Sequence, residues 1–223
     1  ELVLIGPGQS AFDDLAPELV AGFARCLTLA AGPILEVERA FAPGIAAATA
    51  PVVALLENHV YPEPGWAEAV VRAHQGPWAV VGCVISNANV ATATSCVEHL
   101  LSYAFHDEQA PVGEVARVSR NNTTYKRAAL AAFGDRLPDL LARDGGLLEE
   151  LRGNGARFYR EPQARLAHLN PSRMGSMLNL RLHSARASSS TRARTGRWPP
   201  GRRALYVLAS PLFPLLRIRA LWS

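Results

Sequence analysis

The segment after one apolar run carries two metal-binding side-chain types at strand spacing. Residues 51–56 read Pro-Val-Val-Ala-Leu-Leu, and Glu57, Asn58 and His59 follow directly. Residues i and i+2 of a strand point the same way, so Glu57 and His59 can both face the crevice at the carboxyl edge of an α/β sheet. Carboxylate and imidazole can hold a divalent cation that neutralises a departing diphosphate. The alternative is a solvated or helix-capping pair.

Polar residues further along the chain have structural and functional interpretations. Asn122 and Thr123 suit the N-cap of a helix predicted over residues 125–133, whose first amides can face sugar hydroxyls or phosphate. Asp144 stands near the start of another predicted helix, where the helix dipole favours an acid. His168 by itself is more often a structural histidine than a ligand. Capping and structural roles therefore stay open for these residues.

Charge divides the chain into an acidic part and a basic tail. Residues 1–161 hold all 19 Asp and Glu and carry net charge −7, whereas residues 162–223 hold 11 Arg and no acid. A tail of one sign suits anionic lipid headgroups or nucleic acid, or it is simply solvated. The arginines lack the interleaved aromatic residues of a base-stacking surface, which makes nucleic acid the less favoured partner.

Cysteine usage and apolar segments predict the setting of the protein. The three cysteines lack metal-ligand spacing and are interpreted as reduced, buried side chains. We find no export signal in the strand-like opening at residues 1–5. The apolar element at residues 204–216 is shorter than the roughly 20 residues that a spanning helix needs, which favours an interfacial element. We therefore expect a cytoplasmic protein, peripheral at the inner face of the cell membrane.

The hydrophobic periodicity predicts an α/β fold, because apolar strands alternate with helices. The predicted strands cover residues 2–5, 51–56, 78–85, 156–159 and 164–167. The predicted helices cover residues 16–29, 66–74, 93–105, 125–133 and 137–151, the last with an interruption at Gly145-Gly146. Residues 109–120 are predicted to be a loop or a sheet edge.

Three motifs, in order along the chain, resemble the family 2 glycosyltransferases. The strand that ends at Glu57, with Asn-His and the turn Pro62–Trp66, resembles the family's strand ending in Asp-x-Asp or Glu-Asp-His and its Pro-x-Pro-x-Trp turn. Residues 121–127, followed by an Ala-Leu helix and Phe-Gly, resemble the family's Asn-x-x-Tyr-x-Arg stretch. Asp144 and the segment 162–168 resemble the acid that heads a Leu, Leu, Gly, Arg helix and the strand ending in Pro-x-Ala-x-x-x-His.

This resemblance implies a metal-assisted, inverting sugar transfer from a nucleotide-diphosphate donor to a hydroxyl of a glycan or lipid-linked acceptor. The implied fold is a three-layer α/β/α, Rossmann-like mixed sheet of the GT-A type over residues 1–172, followed by a basic, amphipathic, membrane-associating region at 173–223. The implied cofactor is Mn²⁺ or Mg²⁺, with Asp144 as catalytic base. The implied metal ligands are Glu57, His59 and His168, and the implied donor-binding residues are Glu57, Asn58, Asn121, Asn122, Lys126 and Arg127.

The chain also departs from the family pattern. Asn58 replaces an acidic middle residue, and Ile5-Gly6 lacks the acid that usually closes the second strand. The opening Val-x-Val-Ile-Ile-Pro strand is not found before Glu1, so we interpret the domain as N-terminally incomplete or as a divergent relative. The alternative function is a non-catalytic, transferase-like binding or scaffold protein at the membrane.

Overall fold

The structure is a computed structural model that describes residues 1–34, 37–143 and 145–212. The strands are β1 (Leu2–Gly6), β2 (Cys26–Ala30), β3 (Val52–Leu55), β4 (Val60–Pro62), β5 (Val80–Asn87), β6 (Gly113–Glu114), β7 (Thr123–Lys126) and β8 (Phe158–His168). The helices are α1 (Pro17–Val20), α2 (Val37–Ala47), α3 (Trp66–His74), α4 (Ala93–Tyr103), α5 (Arg127–Ala131), α6 (Leu137–Ala142), α7 (Gly146–Gly153), α8 (Met174–Thr195) and α9 (Pro200–Ala209).

The main sheet is mixed, and its strand order brings three carboxyl ends to one edge. The order is β3-β7-β5-β8-β4, with β6 paired to β8. β7 is antiparallel to both β3 and β5, and β8 is parallel to β5. β3, β5 and β8 therefore share one direction, and the segments that follow them meet at one edge of the sheet. A separate parallel pair joins β1 to β2.

Two hydrophobic clusters cover the two faces of this sheet. Val80 belongs to one cluster and Cys83 to the other, as expected for residues of opposite parity on β5. The first cluster takes side chains from α2, α5, α6 and α7, and the second takes Ala69 and Val70 from α3. Each large aliphatic side chain buried here stabilises the fold by roughly 1.5–3 kcal/mol. The predicted α/β class is confirmed, with a mixed sheet.

The helix predicted over residues 16–29 is wrong. Only residues 17–20 form a helical turn, and Cys26–Ala30 is the strand β2. The apolar spacing of the segment fits one face of a helix. Residues 26–30, however, pair in parallel with residues 2–6 of β1. Partner pairing overrides local periodicity here. The helix α2 was not predicted at all.

The helix predicted from Tyr125 also begins later than expected. Thr123–Lys126 is the strand β7, and α5 starts at Arg127 with Lys126 as its N-cap. Asn122 and Thr123 therefore do not cap a helix. Thr-Thr-Tyr favours a strand, and β7 is stabilised by pairing with β3 on one side and β5 on the other.

The prediction for the last part of the sheet needs one smaller correction, whereas the predicted helix interruption is present. The two short strands predicted at residues 156–159 and 164–167 are one strand, β8, whose pairing with β5 shifts register between Gly82 and Val84. The predicted interruption at Gly145-Gly146 separates α6 from α7.

Most of the basic tail after residue 173 is helical where the structure describes it. α8 runs unbroken through the Arg- and Ser-rich stretch, and its Arg181 pairs with the buried carboxylate of Glu98 on α4 at 2.7 Å. α9 follows, and the described residues contain no helix long and apolar enough to cross a membrane. The predicted apolar element at 204–216 falls on α9 up to Ala209 and on a 3-10 turn at Ser210–Leu212, and its remainder lies outside the described residues.

Candidate metal centre

Glu57, His59 and His168 meet at the carboxyl edge of the main sheet. Each offers one ligand atom, and these atoms all lie within 4.8 Å of one another. Glu57 follows β3, His59 precedes β4, and His168 ends β8 with its Cα paired to Val60. The structure thus brings together all three residues that the resemblance implies as metal ligands.

Hydrogen bonds from three side chains orient the Glu57 carboxylate. The Asn122 side chain contacts Glu57 twice: Nδ2 donates to the carboxylate Oε2 at 2.7 Å, and Oδ1 accepts from the Glu57 backbone N–H at 3.1 Å. The Tyr103 hydroxyl donates to Oε2 at 3.2 Å, and Asn121 Nδ2 donates to Oε1 at 3.0 Å. The carboxylate is therefore held in place by donors from α4 and from the start of β7.

These contacts keep Glu57 charged despite its burial. Burial acts to raise the pKa of Glu57, but the close approach of His168, the hydrogen bond from Asn122 and the charge of His59 lower this pKa to about 2. Burial and the Glu57 charge raise the pKa of Tyr103, so its hydroxyl remains a donor. Burial lowers the pKa of His59, although Glu57 opposes the shift, and this favours the neutral imidazole that binds metals.

Asn122 adopts a backbone conformation that few residues other than glycine accept. Its φ is +59°, in the left-handed region, and its side chain is completely buried. Asn tolerates this region better than most residues. The conformation lets one amide accept from the backbone of Glu57 and donate to its carboxylate.

His168, the last residue of β8, is buried, and its two ring nitrogens face different partners. Its Nε2 lies 3.5 Å from Glu57 Oε2, and its Nδ1 lies 3.0 Å from Asn170 Oδ1. Its ring meets that of His59 edge to face, with centroids 4.6 Å apart. One carboxylate and two imidazoles suit Mn²⁺ better than Mg²⁺, which prefers oxygen ligands. The donor set therefore fits one of the two expected cations.

The predicted donor-binding residues divide between two ends of the sheet. The carboxyl end, where β3, β5 and β8 finish, carries the cluster, and the amino end is where these strands begin. Asn121 and Asn122 contact Glu57, and the exposed Asn58 places Oδ1 3.0 Å from His59 Nδ1. Lys126 lies three residues along β7 from Thr123, a distance of about 10 Å. Its Nζ donates to the Gly76 carbonyl at 2.7 Å, and Arg127 Nε donates to the Ala50 carbonyl at 3.0 Å. The structure does not bring Lys126 and Arg127 to the cluster.

A cleft lies next to the cluster, between the sheet and helices α2, α6 and α7. Asn121 lines it and also donates to Glu57. An ion pair between Arg120 and Glu38, 2.7 Å long, forms part of its wall. The predicted base Asp144 lies outside the described residues. The residues on either side of Asp144, Arg143 and Gly145, both line the cleft.

Sequence reasoning missed two residues that support the cluster. Tyr103 was included in a predicted helix without a functional role, and no local pattern indicates that its hydroxyl reaches Glu57. Asn170 stands two residues after His168, the same spacing that indicated Glu57 and His59. That spacing at a strand end could have identified Asn170.

The chain was compared with protein-family models and with curated proteins. No family model matches the chain, and no curated protein matches it. The chemistry of the site therefore rests on its own residues: an ionised, oriented carboxylate beside two imidazoles suits a divalent cation.

Proposed function

We propose that this chain is a metal-dependent, inverting glycosyltransferase with a GT-A type catalytic domain. The observation that carries the proposal is the cluster of Glu57, His59 and His168 within 4.8 Å at the carboxyl edge of the sheet. In open α/β sheets, ligands bind in the crevice outside the carboxyl ends of the strands. A mixed sheet with helices on both faces supports the same assignment.

The roles of the residues follow from their chemistry. Glu57, His59 and His168 would hold Mn²⁺, which would supply positive charge for the departing nucleotide diphosphate. Asn121 and Asn122 keep the Glu57 carboxylate oriented. Asp144 takes the proton of the acceptor hydroxyl as general base. A single displacement at the anomeric carbon inverts its configuration.

The neighbouring cleft supports the assignment of Asp144. Asn121 belongs both to the cleft wall and to the surroundings of Glu57. Arg143 and Gly145 line the same cleft, so the chain on both sides of Asp144 borders it.

The tail favours an acceptor at an anionic membrane surface, with the protein peripheral at the inner face of the membrane. On α9, Leu205 and Leu208 are 62% and 79% exposed, and Arg202 and Arg203 precede them on the same helix. Exposed leucines beside arginines, in a tail without acids, suit the boundary between acyl chains and anionic headgroups. The acceptor in this proposal is a lipid-linked or nascent glycan.

Titration calorimetry with uridine and guanosine diphosphate sugars tests the enzymatic proposal. We expect donor binding that requires Mn²⁺ and that Glu57→Gln abolishes, because the amide keeps the shape of the carboxylate but not its charge. Lys126→Gln, at the other end of the sheet, is the matched control and leaves binding unchanged. Binding of no donor, with or without Mn²⁺, contradicts the proposal and favours the non-catalytic scaffold.

Vesicle co-sedimentation tests the membrane part separately. We expect the chain to sediment with vesicles of phosphatidylglycerol and phosphatidylcholine but not with phosphatidylcholine alone. The double variant Leu205→Ser/Leu208→Ser should no longer sediment with these vesicles, because it loses the apolar side chains that contact the acyl chains. Both leucines are exposed, so their exchange leaves the core intact. A variant with serine at the exposed Val71 of α3 is the control. Equal sedimentation of all three chains contradicts membrane docking through α9.

A further inference from the structure

A network of asparagine side chains surrounds the end of β8 where His168 lies. Asn170 Nδ2 donates to Asn87 Oδ1 at 3.0 Å and to the His168 carbonyl at 3.2 Å. Asn87 Oδ1 also accepts from the Asn89 backbone N–H at 3.1 Å, and Asn89 Oδ1 accepts from the Asn170 backbone N–H at 2.8 Å. Side-chain amides therefore join the segment that follows β5 to the segment that follows β8.

This network determines which way the Asn170 amide points. The His168 carbonyl oxygen is an acceptor without ambiguity, and Asn87 presents its oxygen because a backbone N–H donates to it. Two oxygens in contact with one end of the Asn170 amide require that end to be NH₂. The amide oxygen must then be the atom that lies 3.0 Å from His168 Nδ1.

An oxygen at Nδ1 determines where the hydrogen of the neutral imidazole resides. A neutral ring carries one N–H, and only a protonated Nδ1 can donate to Asn170 Oδ1. Nε2 then carries a lone pair, and it lies 3.5 Å from the Glu57 carboxylate oxygen. Two acceptors face each other, an arrangement that a shared cation stabilises.

We infer that Asn170 is a positioning residue that holds His168 as its Nδ1–H tautomer and so presents Nε2 to a divalent cation shared with Glu57. The inference rests on the proposed metal site and adds the residue that prepares it. Without Asn170, His168 would be free to take the other tautomer and donate from Nε2 to Glu57 Oε2. That internal hydrogen bond would occupy both ligand atoms.

The tautomer can be measured without metal and without substrate. Long-range ¹H–¹⁵N correlation spectra of the metal-free chain, at a pH where the ring is neutral, distinguish the two nitrogens of His168. We expect an Nδ1–H ring in the unmodified chain and an Nε2–H ring in Asn170→Ala. An Nε2–H ring in the unmodified chain, or the same tautomer in both chains, overturns the inference.

Mn²⁺ titration of the same chains measures the consequence. We expect Asn170→Ala to bind Mn²⁺ about 10–100-fold more weakly, the usual cost of losing a partner that orients a metal-binding histidine. Asn170→Asp keeps an acceptor at Nδ1 and should retain the tautomer, but it sets a carboxylate oxygen against Asn87 Oδ1 and the His168 carbonyl. We therefore expect it to lose some affinity, though less than Asn170→Ala. Equal losses in the Ala and Asp variants would indicate a structural role only.

Asn89→Ala is the matched control for the loop. It removes hydrogen bonds from Asn89 to the Asn170 backbone and to Ser172, but it does not touch the pair formed by Asn170 and His168. We expect its His168 tautomer to be that of the unmodified chain. A changed tautomer would assign the effect to the loop and contradict the specific role of Asn170. If the unmodified chain binds no Mn²⁺ yet shows the Nδ1–H ring, the proposed function fails while the tautomer assignment stands.

Discussion

The two ends of the main sheet carry similar polar residues but differ in how these residues are paired. At the carboxyl end, Glu57 Oε2 lies 3.5 Å from His168 Nε2, and the inferred Nδ1–H tautomer makes both of these atoms acceptors. At the amino end, Lys126 and Arg127 donate to backbone carbonyls at 2.7 and 3.0 Å. A polar group whose partner is already in the fold serves stability, whereas facing acceptors leave a place for a cation. Pairing therefore separates a binding site from a structural one better than residue type does.

The amino end is also closed by an aromatic stack. Trp78 and Tyr159 stack with centroids 4.9 Å apart, and the Arg157 guanidinium lies 4.4 Å from the centre of the Trp78 ring. Glu114 accepts from Arg157 through both carboxylate oxygens, at 2.9 and 2.7 Å. Planar stacking and a bidentate ion pair satisfy these groups within the fold. We expect substitutions here to change stability and those at the other end to change binding and turnover.

The largest expected effect is that of Asp144→Asn on turnover. The amide keeps the shape of the carboxylate but cannot accept the acceptor's proton, and general-base help contributes roughly 10²–10⁴ in rate. Donor affinity, measured by calorimetry, should stay nearly unchanged. A helix-start acid without a catalytic role would contribute only about 0.3–1 kcal/mol of stability and no activity. Near-normal turnover of this variant would place the base at another residue.

Loss of one imidazole should come next in size. We expect His59→Ala to weaken both Mn²⁺ and donor binding, because it removes one of three ligand atoms, and the loss should exceed the roughly 10–100-fold cost of removing a supporting residue. Unfolding by urea should show little change, since His59 is only partly buried. A variant that binds Mn²⁺ normally would remove His59 from the ligand set.

The amino end predicts an effect of pH on stability rather than on binding. Burial and the charge of Lys126 lower the pKa of His74 to about 4, from 6.5. The unfolded chain therefore binds more protons between these values, so the free energy of unfolding is highest above pH 6.5 and falls as the pH drops toward 4. The shift corresponds to a loss of the order of 3 kcal/mol.

His74→Gln checks this assignment, because its amide can still bond the Thr124 hydroxyl but does not titrate in this range. Urea unfolding across the pH range should show a shallower acid loss in the variant. An unchanged pH profile would show that His74 is not the group responsible.

The smallest expected effect is that of Arg157→Gln. Exposed ion pairs contribute little to stability, and both Arg157 and Glu114 have side chains about half exposed. We expect a small drop in urea stability and no change in Mn²⁺ affinity. A measurable loss of Mn²⁺ binding would mean that the two ends of the sheet are coupled. Residues at the amino end would then affect binding as well as stability.

The local sequence was sufficient to predict those strands and helices that their own apolar periodicity specifies. β3, α3 and α4 lie close to the predicted ranges, because their strands and helices follow their own periodicity. β2 and β7 could not be predicted, because their strand state comes from partners distant in sequence, β1 for one and β3 and β5 for the other. The failures thus lie where pairing across the chain decides the conformation.

The same distinction holds within the site. The spacing of Glu57 and His59 predicted their common direction, and the resemblance added His168. The residues that orient them come from elsewhere: Tyr103 from the end of α4 and Asn170 from the loop after β8. Their hydrogen bonds depend on how helices and loops pack, which no short motif encodes. Lys126 and Arg127 matched a motif, yet the strand β7 carries them to the other end of the sheet.

The left-handed backbone of Asn122 has an evolutionary consequence. Position 122 needs a residue that tolerates φ near +59° and also offers one donor and one acceptor to Glu57. Glycine meets the first requirement but has no side chain, and aspartate would set a second carboxylate against the first. Other residues pay the steric cost of the left-handed region. Asparagine alone meets both demands, so selection for Mn²⁺ binding from a library randomised at this codon should return asparagine.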